Sequence, residues 1–186
     1  MLSTTSLMGL AYGLSEAGLS ILKRRRAGGD ATDGGSLRLL WITILCSMTL
    51  GVALSQLLPQ ANFHPGSGLY ALGVGIYAAG LLWRWLAIFW LGKFFTVNVA
   101  IASDHLVVDT GPYRFIRHPS YTGALAAFLG FGICLGNWVS LLVIMLPITW
   151  AFMRRISLEE AVLRSALGEP YIAYSQGTKR LIPFVY

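Results

Sequence analysis

The chain has 186 residues, of which 55% are hydrophobic and only 12% are charged, a composition too apolar for a soluble domain of this length. The formal net charge is +6, but the basic residues cluster where apolar runs end, which excludes a nucleic-acid-binding module. Cys46 and Cys134 both lie inside apolar runs, so they are interpreted as packed hydrophobic residues, and no disulfide is expected.

Residues 1–22 form the first apolar stretch. It has no basic residue before the apolar run and carries a basic cluster, Lys23 to Arg26, after it, which is the reverse of a signal peptide. We therefore expect a retained membrane helix. Because Glu16 and several glycines make it the least apolar of the spans, an interfacial helix is the alternative.

Four further apolar runs follow at residues 37–58, 69–91, 121–135 and 138–153. A helix needs roughly 20 residues to cross a membrane, so the first two runs are long enough and the last two are short. Only Gly136 and Asn137 separate the short pair, which predicts a tight helical hairpin. Since no helix breaker follows Met153 until Gly168 and Pro170, the last helix is predicted to reach about 30 residues and to protrude from the membrane.

The distribution of Lys and Arg predicts the topology. The turns at residues 59–68 and 136–137 contain neither residue, so they are placed outside, and the C-terminus and the two polar segments, residues 92–120 and 154–186, are placed in the cytoplasm. Arg84 is the one basic residue within a span, where it snorkels or faces a polar cavity.

The predicted fold is therefore an all-α integral membrane protein with about five transmembrane helices, including the tight C-terminal helical hairpin, and with a cytosolic cofactor pocket. Residues 1–91 are assigned to three N-terminal transmembrane helices and residues 92–186 to a catalytic region.

The segment from His105 to Gly123 contains two histidines, two tyrosines and two arginines. Its Thr-Gly-Pro sequence predicts a turn, and Pro119 suits the first position of the following helix. His118 then lies at the mouth of that helix, where unpaired amides and the helix dipole favour the carboxylate of a ligand. The alternative, given similar weight, is that these side chains only anchor the membrane interface.

A second cluster, Arg154-Arg155-Ile-Ser-Leu-Glu159-Glu160, follows the last apolar run. Arg155 and Glu159 are one helical turn apart and are expected to emerge opposite the His118 segment, which favours a functional role. Glu160 and Arg164 have the same spacing, and we interpret them as a pair on a solvated helix. Glu16 is interpreted as a helix-packing residue.

The two clusters together resemble a known family. The series reads G-P-Y-x-x-x-R-H-P-S-Y-x-G, then R-I-x-x-E-E, then Leu167-Gly-Glu-Pro-Tyr171 and Ile182-Pro183, and it is similar to the isoprenylcysteine carboxyl methyltransferases and their bacterial relatives. The resemblance covers residues 84–186. A prokaryotic member in the cell membrane, with its active site and C-terminus in the cytoplasm, is expected.

The resemblance implies a methyltransferase that uses S-adenosyl-L-methionine. It assigns Arg155 to the methyl acceptor, as a clamp for the acceptor carboxylate. The residues that it assigns to S-adenosylmethionine are His105, Leu106, Val107, Val108, Tyr113, His118, Pro119, Ser120, Tyr121 and Glu159. The implied partners are membrane lipids and a lipophilic or prenylated acceptor such as S-isoprenylcysteine, with no metal and no nucleic acid.

Attack of a carboxylate on a sulfonium methyl group needs positioning rather than proton transfer, so no general base is expected. Three other functions are alternatives to a carboxyl methyltransferase. A phospholipid amine N-methyltransferase would have no use for a clamp such as Arg155. An NADPH-dependent sterol-type reductase shares an R-H-P-type segment but not the Arg155 to Glu160 series, and it has a larger helical body. A non-enzymatic scaffold or transporter would leave these residues without a shared purpose.

Overall fold

The computed structural model describes residues 3–23, 35–95 and 106–183. The described residues form six helices: α1 (Thr4–Lys23), α2 (Ser36–Leu57), α3 (Ser67–Leu91), α4 (Pro119–Leu135), α5 (Trp138–Leu167) and α6 (Glu169–Gly177). Short 3-10 turns at Pro59–Ala61, Gly92–Phe94 and Gly111–Arg114 shape the connections.

Three of these helices are long and apolar enough to cross a membrane: α2, α3 with its extension to Phe94, and α5. The helix α4 is apolar but has only 17 residues, and α1 lies outside this group. The all-α membrane fold is therefore confirmed, whereas the count of five spans and the direction of crossing stay predictions.

The predicted hairpin is confirmed. Gly136 ends α4 in the left-handed conformation, with φ +64°, which a residue with a side chain adopts only with strain. Asn137 then caps α5, because its side-chain oxygen accepts a hydrogen bond from the Ser140 amide at 3.0 Å. The helix α5 continues for 30 residues, with Pro147 inside it, and so it extends well beyond the hydrophobic run, as expected.

Glycines bring α3 and α4 into close contact. A Cβ atom on Gly123 would lie 2.6 Å from the Gly80 carbonyl oxygen, and a Cβ atom on Gly130 would lie 2.4 Å from the Gly73 carbonyl oxygen. Only hydrogen fits at such positions, and the backbones of the two helices can therefore touch.

The helix α2 packs along α5 on the other side of the molecule. Ser140 on α5 donates to the Gly51 carbonyl of α2 at 2.6 Å, and Gly51 also faces Ile144. The shared core contains aromatic and β-branched side chains from α1, α2, α4 and α5, among them Tyr12, Ile44, Phe128, Ile144 and Phe152. This packing fixes the ends of α4 and α5 relative to each other, which is where the candidate site lies.

Candidate active site

A glycine turn places the segment before α4. Gly111 has φ +57°, and a Cβ atom there would lie 2.2 Å from the Trp90 ring, so glycine is required. Trp90 Nε1 in turn donates to Thr110 Oγ1 at 3.2 Å. The turn buries Tyr113, whose hydroxyl donates to the Ala87 carbonyl at 3.3 Å. The Thr-Gly-Pro turn expected from the sequence is therefore present, and it ties this segment to the end of α3.

The segment that leads into α4 pairs with the C-terminal part of the chain. The Arg117 amide donates to the Lys179 carbonyl at 2.7 Å, and the His118 amide donates to the Arg180 carbonyl at 3.0 Å. Pro119 starts α4, as expected, with His118 outside the helix at φ −124° and ψ 56°. The amides of Arg117 and His118 are therefore bonded within the chain, and the binding of a ligand carboxylate at the N-terminus of α4 stays a prediction.

Glu160 is a buried hub and not part of a solvated pair. Its Oε1 accepts from Arg117 Nε at 2.8 Å and lies 3.2 Å from His118 Nε2, and its Oε2 accepts from Arg180 Nη2 at 2.9 Å. Arg164, its expected partner, lies at 3.7 Å, and its side chain is 50% exposed against 2% for Glu160. The earlier interpretation is corrected: a buried carboxylate needs several cationic donors, and these come from distant parts of the chain.

Glu159, Tyr121 and Arg155 form a connected group. The Tyr121 hydroxyl donates to Glu159 Oε2 at 3.0 Å and accepts from Arg155 Nε at 3.1 Å. Arg155 Nη1 also donates to Ser36 Oγ at 2.9 Å, at the start of α2. His118 lies alongside, with its ring stacked on Tyr121 at 5.7 Å and its Nδ1 3.9 Å from Glu159 Oε2. The structure therefore brings Arg155 and Glu159 next to the His118 segment, as predicted from the sequence.

A second arginine enters the same region from α3. Arg84 forms two hydrogen bonds with Glu16 of α1, Nε to Oε1 at 2.6 Å and Nη2 to Oε2 at 2.9 Å. Its Nη1 donates to the Ser120 carbonyl at 3.1 Å. Arg84 therefore faces a polar cavity and does not snorkel to the membrane interface. Glu16, interpreted from the sequence as a helix-packing residue, joins α1 to α3 as the buried ion-pair partner of Arg84.

The Glu159 group and the Arg84–Glu16 pair border one cavity. Its polar wall contains Glu16, Arg84, His118, Tyr121, Arg155 and Glu159. Its wall also contains apolar residues of α1, α2 and α5: Leu19, Leu37, Leu40, Trp41, Ile44 and Phe152. Residues 106–108, Leu163, Leu167 and the two tyrosines of α6 line it as well. Since Ser36 of α2 bonds Arg155 and Gly51 of α2 bonds Ser140, the apolar residues of α2 accompany the part of α5 before Arg155, whereas Leu163 and Leu167 follow Glu159. Along α5, the wall therefore has an apolar compartment before Arg155 and a partly aromatic compartment after Glu159.

Most of the sequence-predicted site residues border this cavity: Leu106, Val107, Val108, Tyr113, His118, Ser120, Tyr121, Arg155 and Glu159. Pro119 is buried at the start of α4 and orients its neighbours without being part of the wall. His105 lies outside the described residues. Sequence reasoning missed Glu16, which lines the cavity, and the buried role of Glu160. It quoted Tyr171 only within the family series, without a role, and it did not single out Tyr174.

Burial defines the state of the tyrosines beyond α5. Burial raises the pKa of the Tyr171 phenol, and the carboxylates of Glu160 and Glu159 raise that pKa further. Burial also raises the pKa of Tyr174. Both phenols therefore stay neutral at physiological pH and keep a proton to donate. The described residues contain no group of three or more His, Cys, Asp or Glu side chains that could hold a metal ion.

The fold and the cavity define a class: a helical membrane protein whose charged site is joined to an apolar compartment between its helices. The family model of the isoprenylcysteine carboxyl methyltransferase (ICMT) family matches residues 72–165. The chain belongs to the isoprenylcysteine carboxyl methyltransferase family, and the resemblance read from the sequence is thereby confirmed.

Individual relatives agree. The chain is 37% identical over 114 residues to the protein-S-isoprenylcysteine O-methyltransferase of Schizosaccharomyces pombe, a match that covers 60% of this chain and 48% of the relative. It is 28% identical over 145 residues to protein-S-isoprenylcysteine O-methyltransferase B of Arabidopsis thaliana, covering 75% and 74%.

A solved structure described as the eukaryotic intramembrane Ras methyltransferase ICMT is also similar. It superposes with a TM-score of 0.63 at 30% identity, over 77% of this chain and 52% of that one. The chain thus spans about half the length of the S. pombe relative and of this structure.

Proposed function

We propose that the protein is a membrane-embedded S-adenosylmethionine-dependent methyltransferase that esterifies the carboxylate of a lipophilic, isoprenylated acceptor such as S-isoprenylcysteine. The observation that carries the proposal is one cavity whose wall combines the charged group of Glu159, Tyr121 and Arg155 with apolar residues of α1 and α2 and with the tyrosines of α6. A polar donor and a lipid acceptor can then meet without either crossing the other's solvent. The relatives described above are protein-S-isoprenylcysteine O-methyltransferases, which supports the same reaction.

The residues of the cavity fit the methyl donor. Glu159 keeps 31% of its side chain exposed, so its carboxylate is available to a cationic ligand, and Tyr121 orients it through the 3.0 Å hydrogen bond. Such an oriented carboxylate binds either a ribose hydroxyl or a positive charge by a charge-assisted hydrogen bond. Leu106, Val107, Val108, Tyr113, His118 and Ser120 complete this side of the cavity. When bound, S-adenosylmethionine supplies a methyl group on a positively charged sulfur.

Arg155 is proposed to hold the acceptor. Its guanidinium is fixed by Tyr121 on one side and Ser36 on the other, and its planar fork matches the geometry of a carboxylate. The new carbon–oxygen bond forms to the acceptor oxygen while the sulfur–methyl bond breaks, so one negative and one positive charge are consumed and no proton is released. The protein therefore needs to position two reactants and to exclude water, and no general base is required.

Methyl transfer to defined acceptors tests the proposal. Purified protein in lipid nanodiscs would be given methyl-labelled S-adenosylmethionine with N-acetyl-S-farnesylcysteine, with the methyl ester of that compound, or with phosphatidylethanolamine. We expect label only in the free acid, as an ester that releases methanol in base. Base-stable label in phosphatidylethanolamine would instead show an amine N-methyltransferase. Absence of label from both the free acid and phosphatidylethanolamine would contradict the proposal.

We further propose that the cavity opens towards the cytoplasm, because Arg117, which lines it, and Arg164 and Arg180 gather around Glu160 next to Glu159, in agreement with the asymmetry of basic residues along the chain. Fusion of a reporter that is active only in the cytoplasm to the C-terminus tests this orientation. Activity of a periplasmic reporter at the same position would contradict it.

A further inference from the structure

Tyr171 of α6 has a feature that its fold does not explain. The residue is only 4% exposed, and its hydroxyl oxygen is buried without a hydrogen-bond partner among the described residues. Burying a hydroxyl without a partner destabilises the folded state, and most buried side-chain polar atoms in proteins are paired. A phenylalanine would fill the same space without this cost, so the hydroxyl calls for a role outside the free protein.

The neighbouring tyrosine shows that the local packing can satisfy such a group. Tyr174 lies one turn further along α6, its ring 6.0 Å from that of Tyr171, and its hydroxyl donates to the Tyr113 carbonyl at 2.7 Å. Tyr174 therefore joins α6 to the segment before α4. Tyr171 makes no such bond, although the two residues share one short helix of nine residues.

The position of Tyr171 is set by the turn before it. Gly168 has φ +60°, and its carbonyl accepts from the Tyr171 amide at 3.1 Å, which turns α6 back over the end of α5. The ring of Tyr171 thus becomes part of the wall of the aromatic compartment, together with Val107, Leu163 and Leu167. The compartment also has polar neighbours: the carboxylates of Glu160 and Glu159 and the guanidinium of Arg117 are close enough to act on the phenol.

An apolar, partly aromatic slot with one unpaired hydroxyl is suited to a flat heteroaromatic ring that has a polar edge. On α5, Leu163 and Leu167 follow Glu159, whereas the start of α2 meets Arg155, so the compartment is separated along α5 from the apolar residues of α2, which are suited to a lipid chain. We propose that the Tyr171 hydroxyl binds the nucleoside half of the methyl donor, pairing with the adenine edge or a ribose oxygen. This inference rests on the proposed function and assigns a further specificity-determining residue to it.

The test compares two variants that each remove one hydroxyl. Tyr171→Phe removes the unpaired hydroxyl, and Tyr174→Phe, the matched control, removes the paired one. We expect Tyr171→Phe to keep or raise the unfolding temperature and Tyr174→Phe to lower it. By calorimetry in detergent, we expect Tyr171→Phe to weaken binding of S-adenosylmethionine about tenfold, the effect of one lost hydrogen bond.

A shorter ligand locates the contact. 5′-Methylthioadenosine has the nucleoside but lacks the amino-acid part, so Tyr171→Phe is expected to weaken its binding by the same factor. Three results for Tyr171→Phe would each overturn the inference. The first is unchanged binding of S-adenosylmethionine, and the second is weaker binding of S-adenosylmethionine with unchanged binding of 5′-methylthioadenosine. The third is a drop in unfolding temperature as large as that of Tyr174→Phe. If the unsubstituted protein bound neither ligand, the proposed function would fail first, and this outcome is separate from the other three.

Discussion

Glu159 and Glu160 are consecutive on α5, yet their carboxylates have opposite surroundings. The side chain of Glu160 is 2% exposed and that of Glu159 is 31% exposed. Glu160 is bonded to Arg117 and Arg180, which belong to the segments that frame the site, whereas Glu159 is bonded to Tyr121 and faces the cavity. A helix turns by about 100° per residue, so two adjacent carboxylates are free to serve different purposes: one stabilises the site and the other remains available to a ligand.

The buried member of the pair should control stability. Glu160→Gln leaves the guanidinium groups of Arg117 and Arg180 without a counter-charge, and breaking a buried ion pair in this way costs about 3–5 kcal/mol. Glu169→Gln, at an exposed position on α6, is the control and should stay within about 0.5 kcal/mol. Unfolding by SDS titration in mixed micelles measures both. Equal stability of the two variants would show that the hub is not a structural element.

The Arg84–Glu16 pair should behave as a coupled unit. Glu16→Leu and Arg84→Met each leave one buried charge unpaired and are expected to lower the free energy of unfolding by about 3–5 kcal/mol, while the double variant should recover most of that loss. The double-mutant cycle is measured by the same titration. Additive losses would mean that the pair, although bonded at 2.6 Å, contributes no coupling.

Close contact between α3 and α4 predicts a steric effect. In Gly123→Ala the new Cβ would lie 2.6 Å from the Gly80 carbonyl oxygen and 2.7 Å from the Arg84 amide nitrogen. Separating the helices should cost about 1–3 kcal/mol. Gly75→Ala, on an open face of α3 with no atom within 4 Å, is the matched control and should be neutral or stabilising. If both variants had the same stability, the α3–α4 contact would be looser than described.

Lysine variants of Arg155 and its neighbour Arg154 test whether Arg155 holds the acceptor through its planar guanidinium or only through its charge. Arg155→Lys keeps the charge but loses the planar fork, so the KM for the free-acid acceptor should rise about tenfold, with the Kd for S-adenosylmethionine unchanged. Arg154 is exposed and lies over the Trp150 ring at 5.6 Å, and Arg154→Lys should change neither value. A parallel loss of methyl-donor affinity in Arg155→Lys would show that this residue shapes the whole cavity instead of holding the acceptor.

Local features of the fold could be predicted from the sequence because they depend on neighbours along the chain. The hairpin follows from two apolar runs separated by Gly136 and Asn137, and the length of α5 follows from the lack of a helix breaker before Gly168. The partner of each helix could not be predicted. The contact of Gly80 with Gly123 joins residues 43 positions apart, and the period of a hydrophobic pattern shows which face is apolar but not what covers it.

The same limit applies to the site. The spacing of Glu160 and Arg164 correctly predicted a nearby charge, at 3.7 Å, but spacing reports only partners on the same helix, and the bonds that bury Glu160 come from Arg117 and Arg180. The pairing of Glu16 could have been predicted from the sequence. It and Arg84 have opposite charges within apolar helices, and unpaired charges are costly in that environment, so pairing them across 68 positions was open to inference.

Tyr171 could not be singled out from the sequence. Its unpaired hydroxyl is a property of the packing around α6, and the sequence offers two tyrosines in that helix that differ in nothing but their position. Only the hydrogen bond of Tyr174 to Tyr113 separates the structural residue from the candidate ligand contact.

Binding of S-adenosylmethionine tests the central claim most directly. Calorimetry on detergent-purified protein would compare the unsubstituted chain with Glu159→Gln and Glu169→Gln, with NADPH as competitor. Loss of a charge-assisted hydrogen bond is worth about 1.5–3 kcal/mol, so we expect roughly 10- to 100-fold weaker binding in Glu159→Gln, unchanged binding in Glu169→Gln and no competition by NADPH. Equal affinity in all three proteins, or binding of NADPH in place of S-adenosylmethionine, would contradict the account.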